Sequence, residues 1–186
     1  MYEEKTQLYK QLKTGEITPI DDDTLIEMYN YLTETTAKNN FEQYEISNFS
    51  KPNFKSLHNS AYWKQIPYLG IGPSAHSYNE VSRQWNIASN TQYSKRIAQN
   101  SPFFEKEILT PQDKYNDFII VRIRTLEGID LVQLKNDFED TYYNHCLQNA
   151  QKHIENNTLI IENNFLHLTH KGIMISDSII TDLIIV

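Results

Sequence analysis

The chain has 186 residues and a formal net charge of -7, with 39% hydrophobic and 12% aromatic residues. That is enough apolar material for one large domain or two small ones, which excludes a disordered chain. The acidic balance and the lack of a Lys/Arg cluster argue against a nucleic-acid backbone as partner, although one or two placed basic groups could still hold a propionate. A single cysteine, Cys146, excludes an internal disulfide and any Cys-rich zinc or iron–sulfur site. Its neighbours Tyr142, Tyr143 and Leu147 predict a buried structural thiol on a helix. No apolar h-region follows Met1, and no window approaches a membrane span, so a cytoplasmic location is expected.

In chain order, Leu8, Tyr9 and Leu12 predict a helix that stops at Gly15. Asp21, Asp22 and Asp23 then open a second helix through Leu25, Ile26, Met28 and Leu32, where carboxylates favour the helix N-terminus. As an alternative the triplet could bind a metal, but nothing downstream matches a ligand spacing. Phe41–Phe49 alternates and predicts one strand, broken by Lys51-Pro52-Asn53, and Tyr68–Gly72 predicts a second, closed by Pro73. Helix, strand, segment, strand is an α/β rhythm, yet two strands cannot make a stable α/β domain alone.

Beyond Thr110 the pattern changes. Thr110-Pro111 starts a helix carrying Tyr115, Phe118, Ile119, Ile123 and Leu126 up to Gly128. A short helix over 131–138 and a longer one over 141–155 follow. Leu159–Ile161 and Phe165–Leu168 predict a β-hairpin turned by Asn163-Asn164, and Thr169 caps a final helix to Ile184. This order is winged-helix-like and, given the charge, reads as a packing module. The boundary is expected at Gln99–Pro102, giving domains 1–100 and 101–186.

Two clusters could carry chemistry. In His58-Asn59-Ser60-Ala61-Tyr62-Trp63, a helix would place His58 and Tyr62 on one face. An imidazole can ligate haem iron, Tyr62 and Trp63 can cover a macrocycle, and Asn59 can bond the backbone or orient the imidazole. The same residues could instead simply pack at a domain seam. In Tyr68-Leu69-Gly70-Ile71-Gly72-Pro73-Ser74-Ala75-His76, two glycines at a strand end let something flat or bulky approach the backbone. The third glycine of a dinucleotide fingerprint is missing. His145, His153, His167 and His170 show no metal-ligand spacing and are read as structural.

Taken together in this order, Tyr44–Phe49, Lys51-Pro52, Phe54, His58-Asn59-x-x-Tyr62-Trp63 and Tyr68-x-Gly70-x-Gly72-x-x-Ala75-His76-Ser77-Tyr78 resemble the oxygen-independent coproporphyrinogen III oxidase-like radical-SAM family. The HN-x-x-YW element resembles its haem-chaperone (HemW-like) branch. Arg83–Asn86, Arg124–Ile129 and Leu168–Gly172 extend the resemblance over nearly the whole chain.

The resemblance implies an α/β fold, the C-terminal piece of a partial (β/α) barrel, followed by a small, mainly helical domain. It implies that Gly70, Gly72, Ala75 and His76 line the S-adenosylmethionine side, and that His58, Asn59, Tyr62 and Trp63 form the haem side, with His58 as ligand. The family's Cys-x-x-x-Cys-x-x-Cys, which holds a 4Fe–4S cluster, has no counterpart here. The chain is therefore expected to be a catalytically incomplete fragment with no cofactor bound. Its full-length parent would carry 4Fe–4S, S-adenosylmethionine and haem. The expected partners are haem or porphyrin, a haem-receiving protein, and a second copy through an exposed sheet edge beside unpartnered apolar surface. The alternatives are a fragment of a true oxidase performing oxidative decarboxylation, and a winged-helix protein-interaction module.

Overall fold

The computed structural model describes residues 3–186; the opening Met1-Tyr2 of the leader reading lies outside them. The chain divides into two compact units after Glu42.

The first unit holds α1 (Gln7–Thr14) and α2 (Asp22–Lys38). Thr6 caps α1 by accepting from the Tyr9 N–H, and Gly15 ends it at φ 76°, a left-handed conformation glycine adopts without penalty. The Asp21 carboxylate accepts from the Thr24 N–H at 2.9 Å and the Thr24 hydroxyl at 2.8 Å. The acidic triplet is thus a cap. Neither helix buries a side chain.

The second unit has an α/β fold. It begins with a two-stranded sheet, β1 (Glu42–Glu45) and β2 (Asn48–Ser50), where the sequence predicts one strand over 41–49. Glu45 makes the difference. It is 2% exposed, and one carboxylate oxygen accepts from the Arg124 guanidinium at 2.9 and 3.1 Å. Its other oxygen accepts from the Ser47 N–H and the Asn48 amide, which folds the chain back on itself. A buried carboxylate with every acceptor used is a strong local constraint.

Next come α3 (Leu57–Trp63), β3 (His76–Tyr78), β4 (Ser82–Asn86), α4 (Asn90–Ala98) and β5 (Phe104–Ile108). The last three elements carry no clear periodic signal in the sequence. β3, β4 and β5 form an antiparallel sheet in that order. The strand predicted over 68–72 is not formed: only Tyr68 pairs, as an isolated bridge to Tyr78. Its backbone groups go to side chains instead of a ladder. The Gly70 N–H donates to Ser77 Oγ at 2.9 Å, and Asn86 Nδ2 donates to the carbonyls of Gly70 and Gly72 at 3.3 and 2.9 Å.

The remainder is α5 (Pro111–Ile123), β6 (Ile129–Asp130), α6 (Leu131–Asp137), α7 (Asp140–Glu155), β7 (Leu159–Glu162), β8 (Phe165–Leu168), α8 (His170–Ile173) and α9 (Ser176–Leu183). Thr110 and Asp113 cap α5 reciprocally. The helix ends five residues before Gly128 because the following backbone is claimed elsewhere. The Arg124 carbonyl accepts from the Ile46 N–H, and the Leu126 N–H donates to the Tyr44 carbonyl. The β7–β8 hairpin turns on Asn163 and Asn164, at φ 50° and 67°, as their tolerance of positive φ predicts. β8 is central, with β6 on its other side.

The predicted last helix is two, bent at Met174-Ile175. Gly172 lies so close to the Thr158 carbonyl that a Cβ would sit 1.9 Å from it. The bend lets Ile179 and Leu183 reach a core shared with Tyr115, Ile119, Leu134 and Leu166. Cys146 is buried there, as expected, and burial pushes its thiol up to about 12.

Candidate functional site

Ser56 caps α3 by accepting from the Asn59 N–H, and the helix sets His58 and Tyr62 one turn apart. Their rings meet edge to face with centroids 4.8 Å apart. The cluster then continues through Tyr68 and Tyr78, which the sequence reading places in the glycine segment and not beside His58. Tyr62 meets Tyr68 at 4.7 Å, edge to face, and Tyr68 meets Tyr78 at 6.2 Å. The Tyr68–Tyr78 bridge, with paired N–H···O bonds of 2.9 Å, holds the last two rings together. The result is a row of four rings ending in an exposed imidazole. The signal available in advance was the three tyrosines and the histidine within 21 residues, but only pairing between segments could align them.

Burial favours the neutral phenol at Tyr68 and Tyr78. Burial raises Tyr68 above the usual tyrosine range, with the Tyr62 hydroxyl adding to the effect. Burial raises Tyr78 likewise, with Asp117 adding to it. Asp117 is itself pushed up by burial and held back by Arg83, whose guanidinium lies 3.0 Å away.

Asn59 does not reach the imidazole. Its amide donates to Asn48 Oδ1 at 3.2 Å, tying α3 to β2. Trp63 leaves the row as well: its indole lines a separate cavity between α3 and the end of α5.

Of the second cluster, Gly70 is a glycine because its own chain presses on it, a Cβ there lying 2.0 Å from the His76 carbonyl. Gly72, at φ 108°, has open space where a Cβ would stand, and its N–H donates to the Tyr93 hydroxyl at 3.2 Å. Ala75 is half-buried and His76 exposed. His76 and Tyr78 alternate with the buried Ser77, so they share one face of β3. Across the sheet His76 pairs with Trp85, whose indole N–H donates to Glu105 at 3.2 Å. His76, Trp85, Asn86 and Glu105 border a cavity of about 280 Å³. The glycine segment and the ring row therefore share β3, while His58 and His76 make no ring contact with each other.

Three of the other histidines, His145, His153 and His167, have structural partners. His153 bonds Asp182 at 2.9 Å, His145 the Ile184 carbonyl at 3.3 Å and His167 the Leu126 carbonyl at 3.1 Å. Among the described residues no three His, Cys, Asp or Glu side chains converge as a metal site. Nor is any helix among them long and apolar enough to cross a membrane.

Residues 109–175 match the HemN C-terminal domain. The heme chaperone HemW of Lactococcus lactis is 25% identical over 177 residues, covering 95% of this chain and 46% of that protein. The heme chaperone HemW of Bacillus subtilis is 25% identical over 182 residues, covering 95% and 47%. The structure of Escherichia coli coproporphyrinogen III oxidase (HemN), a radical SAM enzyme, superposes with a TM-score of 0.63 at 15% identity, over 82% of this chain and 39% of that one. The chain thus spans less than half the length of these relatives, and its fold is that of the C-terminal region of HemN. Domain match, relatives and fold agree: residues 109–175 carry a HemN C-terminal domain, and the chain is similar to the C-terminal portion of HemW-like radical-SAM proteins.

Proposed function

We propose that this chain is the haem-handling C-terminal portion of a haem chaperone, with haem as its cargo and His58 as the ligand that takes it. The observation that carries the reading is the exposed His58 imidazole packed on Tyr62 at the end of a four-ring row. A neutral imidazole nitrogen is a good donor to haem iron, and aromatic rings beside it supply apolar surface for a macrocycle. Asn59 supports this by fixing α3 to β2, while Trp63 lines the cavity on the helix's other side. Gly72, Ala75 and His76 supply one wall on the S-adenosylmethionine side, with Gly70 letting that wall fold tightly. The iron–sulfur cluster of the longer family members does not fit this chain's own residues: three thiolates are needed, and the one present is buried in the core.

The reading carries with it the division into 1–100, a remnant of a partial barrel, and 101–186, a winged-helix-like packing module. It also implies a haem-receiving protein as partner, no nucleic acid, a cytoplasmic location, and self-association through a free sheet edge.

Haem titration into the chain and into His58→Ala tests the ligand. The expected result is a Soret band shifted from free haem in the parent chain, and altered or lost in the variant. Equal binding with identical Soret spectra in both would overturn it.

A further inference from the structure

The cavity between α3 and the end of α5 has a volume of about 180 Å³ and a chemistry of its own. Lys55, Lys64 and Arg122 stand on its walls against one carboxylate, Glu127. None of the three cations is in an ion pair. Two N–H groups of the lining, Trp63 Nε1 and Arg122 Nε, are buried and have no hydrogen-bond partner. A buried donor without a partner is destabilising, so two in residues that line one cavity point to an acceptor that belongs there. Lys55 lies over the Tyr44 ring at 5.9 Å and Arg122 over Phe118 at 5.6 Å, which holds both cations without neutralising them. The Tyr44 ring, the Trp63 indole and Leu126 make the rest of the wall apolar.

We infer that this cavity is a binding site for a carboxylate on an aliphatic stem. The carboxylate is held by the Arg122 guanidinium and the Trp63 indole N–H, within reach of Lys55 and Lys64, and the stem lies against Leu126 and Tyr44. Two oxygens of one planar group match two single donors on a cationic wall. The site is independent of His58. At 100° per residue, Ser60, Trp63 and Lys64 project from the side of α3 opposite to His58 and Tyr62, so loss of haem ligation would leave it intact.

Propionate, titrated at constant ionic strength into the ¹⁵N-labelled chain, is the probe. The two indole N–H signals are the readout. Trp63 is expected to shift saturably, while Trp85, already bonded to Glu105, stays in place. Arg122→Gln should weaken apparent affinity about tenfold, the cost of one charged hydrogen bond. His58→Ala should leave the titration unchanged. The Trp85 signal reports whether Arg122→Gln folds, and Lys64→Gln, on the exposed end of α3, is the second variant. A shift that never saturates, that moves both indoles alike, that inorganic phosphate reproduces equally, or that survives both variants would overturn the assignment.

Discussion

Residues 109–186 and residues 43–108 belong to one compact unit but are stabilised by different means. The first stretch carries the apolar core: Tyr115, Ile119, Ile123, Leu134, Leu166, Ile179 and Leu183 are essentially inaccessible, and the Tyr115 hydroxyl donates to the Leu183 carbonyl at 2.8 Å. The second stretch buries mostly polar groups: Glu45, Ser50, Ser77, Ser82 and Asn86, with Tyr44 among them. Its large apolar side chains face outward, Leu57 at 88% and Ile71 at 85% exposure. A fold held by burial can stand alone, whereas one held by side-chain-to-backbone hydrogen bonds leaves apolar surface to be covered. The ring row and the glycine segment lie in this second stretch. That places the candidate chemistry where the chain itself supplies least packing.

The largest expected effect tests this contrast directly. Ile119→Ala should cost about 2–5 kcal/mol in urea denaturation, since a cavity opens in a closed core. Ile71→Ser should stay within about 0.5 kcal/mol. Comparable losses from both would erase the distinction.

A smaller effect is expected where the two stretches join. Glu45→Gln removes the charge that Arg124 answers and should cost about 1–3 kcal/mol. The amides of Ile46 and Leu126, which pair across this junction, should then exchange with solvent faster than those of β7 and β8. Uniform acceleration would mean the two stretches unfold as one.

The smallest effect belongs to the surface of the core stretch. The Lys152 ammonium, and then His153, hold the Asp182 carboxyl below its ordinary range. A depressed folded value means the stabilisation is fully present above the ordinary carboxylate range and is lost as pH falls through the folded value. Asp182→Asn should therefore lower stability by no more than about 1 kcal/mol at neutral pH, given its exposure. The difference should vanish in strong acid; a difference that grows on acidification would reverse the assignment.

Most of the helices, though not α4 or the break between α8 and α9, were legible because their signals are local. Asp21 and Thr110 cap the helices they were expected to open, and Asn163-Asn164 turn the hairpin. Period and turn chemistry need only neighbouring residues. The core role of Cys146 followed from the aromatic helix around it. The pairing of His58 with Tyr62 followed from helical spacing, and the order of motifs pointed to the family.

What the tertiary structure alone decided depends on groups distant in sequence. Arg124 on Glu45 splits the strand predicted over 41–49 and ends α5 early. Asn86 takes the carbonyls of Gly70 and Gly72, so no strand forms there. Tyr68 and Tyr78 join the ring row only because their backbones pair. The cationic cavity behind Trp63 brings together residues from Tyr44 to Glu127. Sequence determines which local structures are cheap; which backbone groups remain unsatisfied, and what satisfies them, is settled only when distant segments meet.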